Sequence, residues 1–216
     1  SGAVIDGDSL HRLFTIDNAS LHLSNLNISS GASVVGGAIA AEGSTLTFDR
    51  TNFLGNTASG YGGAVYDGGG VCVSEGSSLS WDFPTGFYSN SAEVGGAVAV
   101  PSNSSASWSA VTTYLSNVAV IGGALATFGT STTYWNASTT FLRNEALRGG
   151  AVAVHESSLG WSGEGTGFHG NRAADIAGGI SLSSSSLSAV NSTFSDNSAV
   201  HSGGVMHIHG GSSVVF

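Results

Sequence analysis

The sequence predicts an all-β fold, a parallel β-helix (solenoid) of about eight coils, with three strands and roughly 27 residues in each coil. Three observations carry this prediction. An aromatic residue followed three places later by asparagine recurs along the chain, and a Gly-Gly pair follows it. A segment that ends in an aromatic residue, often Trp, lies between successive copies, and Gly, Ser, Asn and Thr clusters typical of turns separate the segments. No helical period is present, so all three segments are predicted strands.

The aromatic-x-x-Asn segment is the most regular part of the repeat, with spacings of 34, 27, 27, 27 and 26 residues. Equivalent positions of successive coils lie above one another, so its aromatic side chains are predicted to stack in one buried column. The column consists of Phe53, Phe87, Tyr114, Phe141, Phe168 and Phe194. The asparagines are predicted to form a ladder in which each amide donates to one neighbour and accepts from the other. The ladder consists of Asn56, Asn90, Asn117, Asn144, Asn171 and Asn197.

Gly-Gly pairs open the next segment, and we expect them where φ is positive or where the wall of the coil is crowded. The pairs stand at 36–37, 62–63, 95–96, 122–123, 149–150, 178–179 and 203–204. The larger apolar residues that follow are predicted to face the core, and Ser181 is expected to interrupt their column. These residues are Ile39, Val65, Val98, Leu125, Val152 and Met206.

The third segment contains all four tryptophans, Trp81, Trp108, Trp135 and Trp161, at spacings of 27, 27 and 26 residues. Alternation along a strand places Leu79 on the same face as Trp81. We therefore predict that the Trp column packs in the core. The alternative is a solvent-facing column that stacks on sugar rings.

The combined motif, seen as FLRNEALRGGAVAV from Phe141, resembles the repeat of the chlamydial polymorphic outer membrane proteins over residues 28–208. This resemblance implies a right-handed parallel β-helix that is exposed at a cell surface and acts as an adhesin. It covers most of the chain, and its motif is more specific for the type of repeat than for the function.

The period runs through the whole chain, so residues 1–216 are predicted to form a single domain, which we expect to be a segment of a longer solenoid. The step from Phe53 to Phe87 is 34 residues against a period of 27, and the seven extra residues predict a loop insertion near 67–76. That loop carries the only cysteine, Cys72. Its side chain is either a small buried apolar group or one half of a disulfide.

Charge is sparse and negative, because the chain has five Arg, no Lys and a net charge of −9. A nucleic acid or an anionic membrane surface requires a basic patch, so neither is expected as a partner. No apolar run reaches the ~20 residues that span a bilayer, and we expect no membrane insertion by this segment. No phosphate loop or metal-ligand motif stands out, so no cofactor is expected.

Five Asn-x-Ser/Thr sequences are potential N-glycosylation sites and indicate an extracellular or cell-surface location. None of the ladder asparagines carries such a sequence, which fits side chains that point inward. The five asparagines are Asn18, Asn27, Asn103, Asn136 and Asn191.

A polysaccharide lyase or hydrolase is the enzymatic alternative, since parallel β-helices also host such enzymes. These enzymes use clustered carboxylates, often with Ca²⁺. Here the acidic residues are scattered over nearly every coil, and Asp6 and Asp8 form the only close Asp pair. A Ca²⁺ site with Asp17 is conceivable there, but an ordinary polar turn is the favoured interpretation.

Several histidines are candidate metal ligands by their spacing. His207 and His209 point to the same face of a predicted strand, with His201 nearby in the sequence. His155 and His209 share a predicted column with Ser184 between them, but two coils separate them by roughly 9.6 Å, too far to share one zinc ion. We predict no metal site and no catalytic site.

These observations together predict a non-enzymatic extracellular β-solenoid, a rigid structural or adhesive module of a cell-surface protein, appendage or filament. The expected partners are other segments or copies of the same surface protein, including end-to-end contacts, and a glycan or host-surface ligand. A carbohydrate- or surface-binding face is the first alternative, for which the pairs Thr112-Thr113 and Thr139-Thr140 provide a partial Thr array that other coils interrupt. A polysaccharide-degrading enzyme is the second.

Overall fold

The computed structural model describes residues 2–59 and 76–216 in full and residues 65–66 by their backbone alone. Every regular element in these ranges is a β-strand. Across these same residues, no helix has the length and hydrophobicity needed to cross a lipid bilayer. Cys72, residues 67–75 of the predicted insertion and the Gly pair at 62–63 lie outside the described residues.

The strands stack into three sheets of eight strands each, and these sheets form the three walls of a solenoid. All pairings within these three sheets are parallel, so that Phe87 pairs with Tyr114 and Tyr114 with Phe141 on successive turns. Eight strands in each wall correspond to seven steps from one coil to the next. The predicted all-β parallel solenoid with three strands in each coil is confirmed.

The three walls are named here after their sequence features. The Phe sheet, which contains the aromatic-x-x-Asn segments, has the strands Ala3–Asp6, Leu26–Ser29, Asn52–Leu54, Thr85–Tyr88, Thr112–Leu115, Thr139–Leu142, Thr166–His169 and Ser192–Ser195. In the Gly-Gly sheet, every strand after the first follows a glycine pair. Its strands are Phe14–Asp17, Ile39–Glu42, Val65–Tyr66, Val98–Val100, Leu125–Phe128, Val152–His155, Ile180–Ser183 and Met206–His209. The Trp sheet has the strands Ser20–Ser24, Thr45–Asp49, Ser78–Trp81, Ser105–Trp108, Thr132–Trp135, Ser158–Trp161, Ser186–Ser188 and Ser213–Val215.

A short ridge lies between the Phe sheet and the Gly-Gly sheet, where the chain runs from each ladder asparagine to the next glycine pair. Isolated bridges join Val94 to Ile121 and Ile121 to Arg148 along this ridge. The ridge also contains two small parallel sheets that the sequence did not predict. Their strands are Ala32–Ser33 with Thr57–Ala58, and Glu145–Arg148 with Arg172–Ile176 and Ser198–Ala199.

Alternation along the strands fills the interior with apolar side chains. In the strand Thr132–Trp135, the side chains of Thr133 and Trp135 are buried and those of Thr132 and Tyr134 are exposed. Side chains from all three walls form one hydrophobic cluster that continues from coil to coil. Burial of this apolar surface is the main stabilising term of the fold, at about 25 cal/mol per Å².

The glycine pairs serve two different purposes. The first glycine of most pairs takes a positive φ, which is 64° at Gly122 and at Gly149. The second lies against the backbone of the next coil, because a Cβ on Gly123 would meet the carbonyl oxygen of Gly150 at 2.1 Å. Only glycine meets both requirements without strain.

One turn of the solenoid contains an extra residue, and this corrects one prediction. From Asn171 to Ala177 the chain takes six steps, where Asn144 to Gly149 takes five. Ala177 therefore occupies the positive-φ position, with a φ of 61°. The following strand is shifted by one place, so Ile180 pairs with Val152. Ser181 therefore lies outside the apolar column and does not interrupt it.

Candidate functional site

The ladder asparagines form a continuous chain of hydrogen bonds beside the Phe sheet. The side-chain nitrogen of Asn144 donates to Oδ1 of Asn171 at 3.0 Å and to the carbonyl oxygen of Tyr114 at 3.1 Å. Its own Oδ1 accepts from the backbone and side-chain nitrogens of Asn117 at 2.9 and 3.0 Å. Each interior amide thus uses both donors and both lone pairs in a buried position. The same pattern runs through Asn56, Asn90, Asn117, Asn144, Asn171 and Asn197.

The aromatic column runs along the solenoid beside the ladder, in the core. Its rings are stacked nearly parallel at centroid separations of 4.7 to 5.1 Å, close to the spacing between strands. The column runs through Phe53, Phe87, Tyr114, Phe141, Phe168 and Phe194. The Tyr114 hydroxyl is buried and has no hydrogen-bond partner among the described residues. Burial raises the pKa of Tyr114 well above its ordinary value of 10.0.

The Trp column packs in the core, as predicted, with neighbouring rings stacked at 4.6 to 4.8 Å. Each indole nitrogen also donates to a hydroxyl 31 residues later, as Trp108 does to Thr139 at 2.8 Å. This bond was not predicted from the sequence, although the Thr or Ser that recurs at that offset is its signal. Thr112 and Thr139 are fully buried, whereas Thr113 and Thr140 are half-exposed and pair on successive coils. Only the second threonine of each pair can therefore belong to the surface Thr array considered as an alternative.

Four of the five potential glycosylation asparagines are exposed at corners of the solenoid. They are Asn18 and Asn103, between the Gly-Gly and Trp sheets, and Asn136 and Asn191, between the Trp and Phe sheets. Asn27 differs, because it lies within a strand and is half-buried. Its Oδ1 accepts a hydrogen bond from the side chain of Asn52 at 3.0 Å.

The acidic and histidine candidates do not assemble into a metal site. The backbone nitrogen of Asp8 donates to the Asp6 carboxylate at 2.9 Å, and this bond lowers the pKa of Asp6. The pair thus forms the polar turn that the sequence analysis favoured. Within the described parts of the chain, no three His, Cys, Asp or Glu side chains are grouped to hold a metal ion.

The histidine column is shifted by the same extra residue. Ser183, and not Ser184, lies between His155 and His209 in the parallel pairing. The predicted spacing of two coils between the two histidines holds. The ring centroids of His207 and His209 are 5.2 Å apart on the last described strand of the Gly-Gly sheet.

A groove of about 360 Å³ lies on the outer face of the Gly-Gly sheet. Its floor contains Ala126, Ala153 and Ser181, which pair on successive turns. These side chains alternate with the larger residues that point into the core, so the outer face is lined by small groups. The groove was not predicted from the sequence, although the small residue in the middle of V-A-V and L-A-T is its signal.

Two walls of different chemistry enclose the groove. The ridge wall is apolar except at Arg148, and it consists of Val94, Ile121, Arg148 and Ile176. The strand-end wall is aromatic and polar, and it consists of Phe128, His155, Ser183 and His209. Arg148 Nε is 3.4 Å from Oδ2 of Asp175, whose Oδ1 is 3.1 Å from His201 Nδ1. The guanidinium at the groove is therefore paired with a carboxylate.

Fold, ladder and groove together define this chain as a parallel β-solenoid built from a repeat of about 27 residues. Residues 50–68 match the family model of the Chlamydia polymorphic membrane protein repeat. The resemblance predicted from the motif is thereby confirmed for this repeat. A comparison with curated proteins gives no match, and a comparison with solved structures gives none either.

Proposed function

We propose that this chain is a non-enzymatic structural module of a cell-surface protein, a stiff spacer that can also present adhesive surfaces. The observation that carries the proposal is the continuity of the stacked columns from coil to coil. The Asn ladder, the Phe column and the Trp column all repeat at the same spacing, one contact per coil along the solenoid axis. Bending between two coils would therefore break contacts in all three columns at once. Such a rod is suited to holding a surface at a fixed distance.

The proposed location is outside the cell, at its surface. The match of the repeat to membrane proteins of Chlamydia supports this location. A low content of charged residues, 9%, and many exposed Ser and Thr side chains give the rod a surface that is polar but weakly charged. Antibodies against the folded chain should label intact cells of the source organism, and external protease should remove the signal. Labelling only after permeabilisation would contradict the proposal.

Other segments or copies of the same surface protein are the proposed partners, in end-to-end contact. A parallel solenoid presents unpaired strand backbone at the end of each sheet, where a further coil can add. The strands Ser192–Ser195, Met206–His209 and Ser213–Val215 form one such end. Cryo-electron microscopy of the protein in its native assembly tests this contact. Lateral packing without end-to-end stacking would contradict it.

Glycans at the exposed corners are also proposed, for a chain that passes through a glycosylating secretory pathway. The four corner asparagines can carry a sugar that projects into solvent, whereas Asn27 is held by Asn52 within a sheet. Site-resolved mass spectrometry of the secreted protein should find Asn103 and Asn191 occupied more than Asn27. Equal occupancy at all five positions would contradict the assignment.

A further inference from the structure

The groove on the outer face of the Gly-Gly sheet has the properties of a binding site rather than of a packing defect. It continues over several coils, because both walls and the floor are columns of the parallel pairing. Its strand-end wall includes Phe128, a half-buried aromatic side chain beside small floor residues. The side chains of Arg148 and His155 are exposed to 57% and 60%, so polar groups of a ligand can reach them.

We propose that this groove binds a neutral oligosaccharide strand. An aromatic side chain offers a flat apolar surface for the C–H face of a sugar ring. The planar guanidinium of Arg148, the His155 ring and the Ser183 hydroxyl, which all line the groove, offer donors and acceptors for its hydroxyls. The combination of an apolar surface and convergent polar groups is typical of small-molecule sites. This inference goes beyond the proposed structural role and does not depend on it.

The charge of the groove selects a neutral strand over a polyanion. Arg148 is paired with Asp175, so the described lining of the groove offers no unpaired arginine to a sulfated or phosphorylated chain. The net charge of the protein, −9, opposes a polyanion as well.

Backbone pairing makes an extended peptide a poor occupant. Peptides that bind as β-strands need a free sheet edge for main-chain hydrogen bonds. The groove lies on the face of a sheet whose strands already pair with the coils on both sides, as Val152–His155 does. A saccharide needs only side-chain partners and is compatible with this face.

Binding of neutral hexasaccharides to the purified protein tests the proposal. Cellohexaose, chitohexaose and maltohexaose are titrated calorimetrically, and dextran sulfate serves as the anionic probe. We expect at least one neutral hexamer to bind, and Phe128→Ala to weaken that binding by about tenfold or more. Tyr134→Ala is the matched control, because Tyr134 is an exposed aromatic residue, 42% accessible, on a different wall.

Arg148→Gln is a second variant that does not touch the aromatic wall, and Arg172→Gln on the next coil is its control. The Arg148 change should weaken binding, and the Arg172 change should leave the affinity as it was. Circular dichroism of each variant shows that the solenoid is intact. The proposal is overturned if no neutral hexamer binds, if only dextran sulfate binds, or if Phe128→Ala and Tyr134→Ala have equal effects. None of these outcomes bears on surface display or end-to-end contact, which are tested separately.

Discussion

At the scale of single residues, the interior of the solenoid tolerates polar groups only where the repeat gives them partners. The amide of Asn144 has all of its hydrogen-bonding groups matched by neighbours one coil away. The hydroxyl of Tyr114, in the same interior, has no partner among the described residues. Since an unpaired buried hydroxyl costs free energy, these two residues should respond in opposite ways to substitution.

Tyr114→Phe should raise the free energy of unfolding by about 1 kcal/mol, because it removes a desolvated hydroxyl and keeps the stacked ring. The difference in the free energy of unfolding between the variant and the wild type should widen as the pH rises above 10. The reason is that Tyr114 ionises in the unfolded chain and stays protonated in the fold. In that range unfolding of the wild type releases a proton, so the stability of the wild type falls as the pH rises. The variant has no hydroxyl at this position and does not lose stability in this way. Urea denaturation at neutral and alkaline pH measures both effects. A less stable Tyr114→Phe protein would show that the hydroxyl has a partner.

Asn144→Ala should lower the free energy of unfolding by about 3 kcal/mol or more, because it leaves buried groups of Asn117 and Tyr114 without partners. Asn103→Ala is the control at an exposed corner. Asn103→Ala should lower the free energy of unfolding by only about 1 kcal/mol, because Ala then has to adopt the positive φ of 62° at this position. Denaturation of both variants under the same conditions gives the comparison. Equal losses would contradict the structural role of the ladder.

At the scale of elements, hydrogen bonds between walls fix how the strands of one coil meet those of the next. Trp108 in the Trp sheet donates to Thr139 in the Phe sheet of the next turn. The same offset of 31 residues joins Trp81 to Thr112. The indole column is therefore tied at its polar edge as well as stacked at its faces.

Thr139→Val should destabilise the protein by roughly 1 to 2 kcal/mol, because the shape is kept while the indole of Trp108 loses its acceptor. Thr140→Val, at the neighbouring half-exposed position, should be within about 0.5 kcal/mol of the wild type. Thermal unfolding followed by tryptophan fluorescence reports on both variants. A neutral Thr139→Val variant would mean that the indole finds another acceptor.

The elements that the sequence predicts well are those with one residue type at a fixed interval. The three walls and the positions of the aromatic and Asn columns followed from such intervals alone. The shift at Ile180 was missed because the pair at 178–179 looks like every other Gly pair, although Ala177 takes the position of the first glycine. The groove was missed for another reason. Its walls come from different coils and from the ridge, whose strands carry no periodic residue type.

At the scale of the whole molecule, coils depend on their neighbours, and the segment before the strand Phe14–Asp17 has no glycine pair whose backbone nitrogens could bond to the next coil. Arg12 supplies the donors instead. Its guanidinium donates to the carbonyl oxygens of Val35 and Gly36 at 2.6 and 3.2 Å. In interior coils the corresponding carbonyls accept from backbone nitrogens, as Gly122 does from Gly96 at 3.1 Å. The side chain thus completes a ladder that lacks a preceding glycine pair.

Arg12→Met should loosen the first coils while leaving the centre of the rod unchanged. Removal of the guanidinium leaves carbonyl groups near Gly36 without protein donors, so backbone amides of residues 32–40 should exchange with deuterium faster. The expected change is about tenfold, equivalent to the loss of one charge-assisted hydrogen bond. Arg143→Met, at an exposed position on a central coil, is the control. Unchanged exchange in residues 32–40 of the Arg12 variant would contradict the role of Arg12 as the donor to these carbonyls.

The central claim is that the columns couple the coils into one stiff unit, and native-state hydrogen exchange of the wild-type protein tests it most directly. The backbone amides of Asn90, Asn117, Asn144 and Asn171 each donate to the next asparagine of the ladder. We predict that these four amides exchange with the same free energy, equal to that of global unfolding. Four different values, each well below the global one, would show that the coils open independently and would contradict the account.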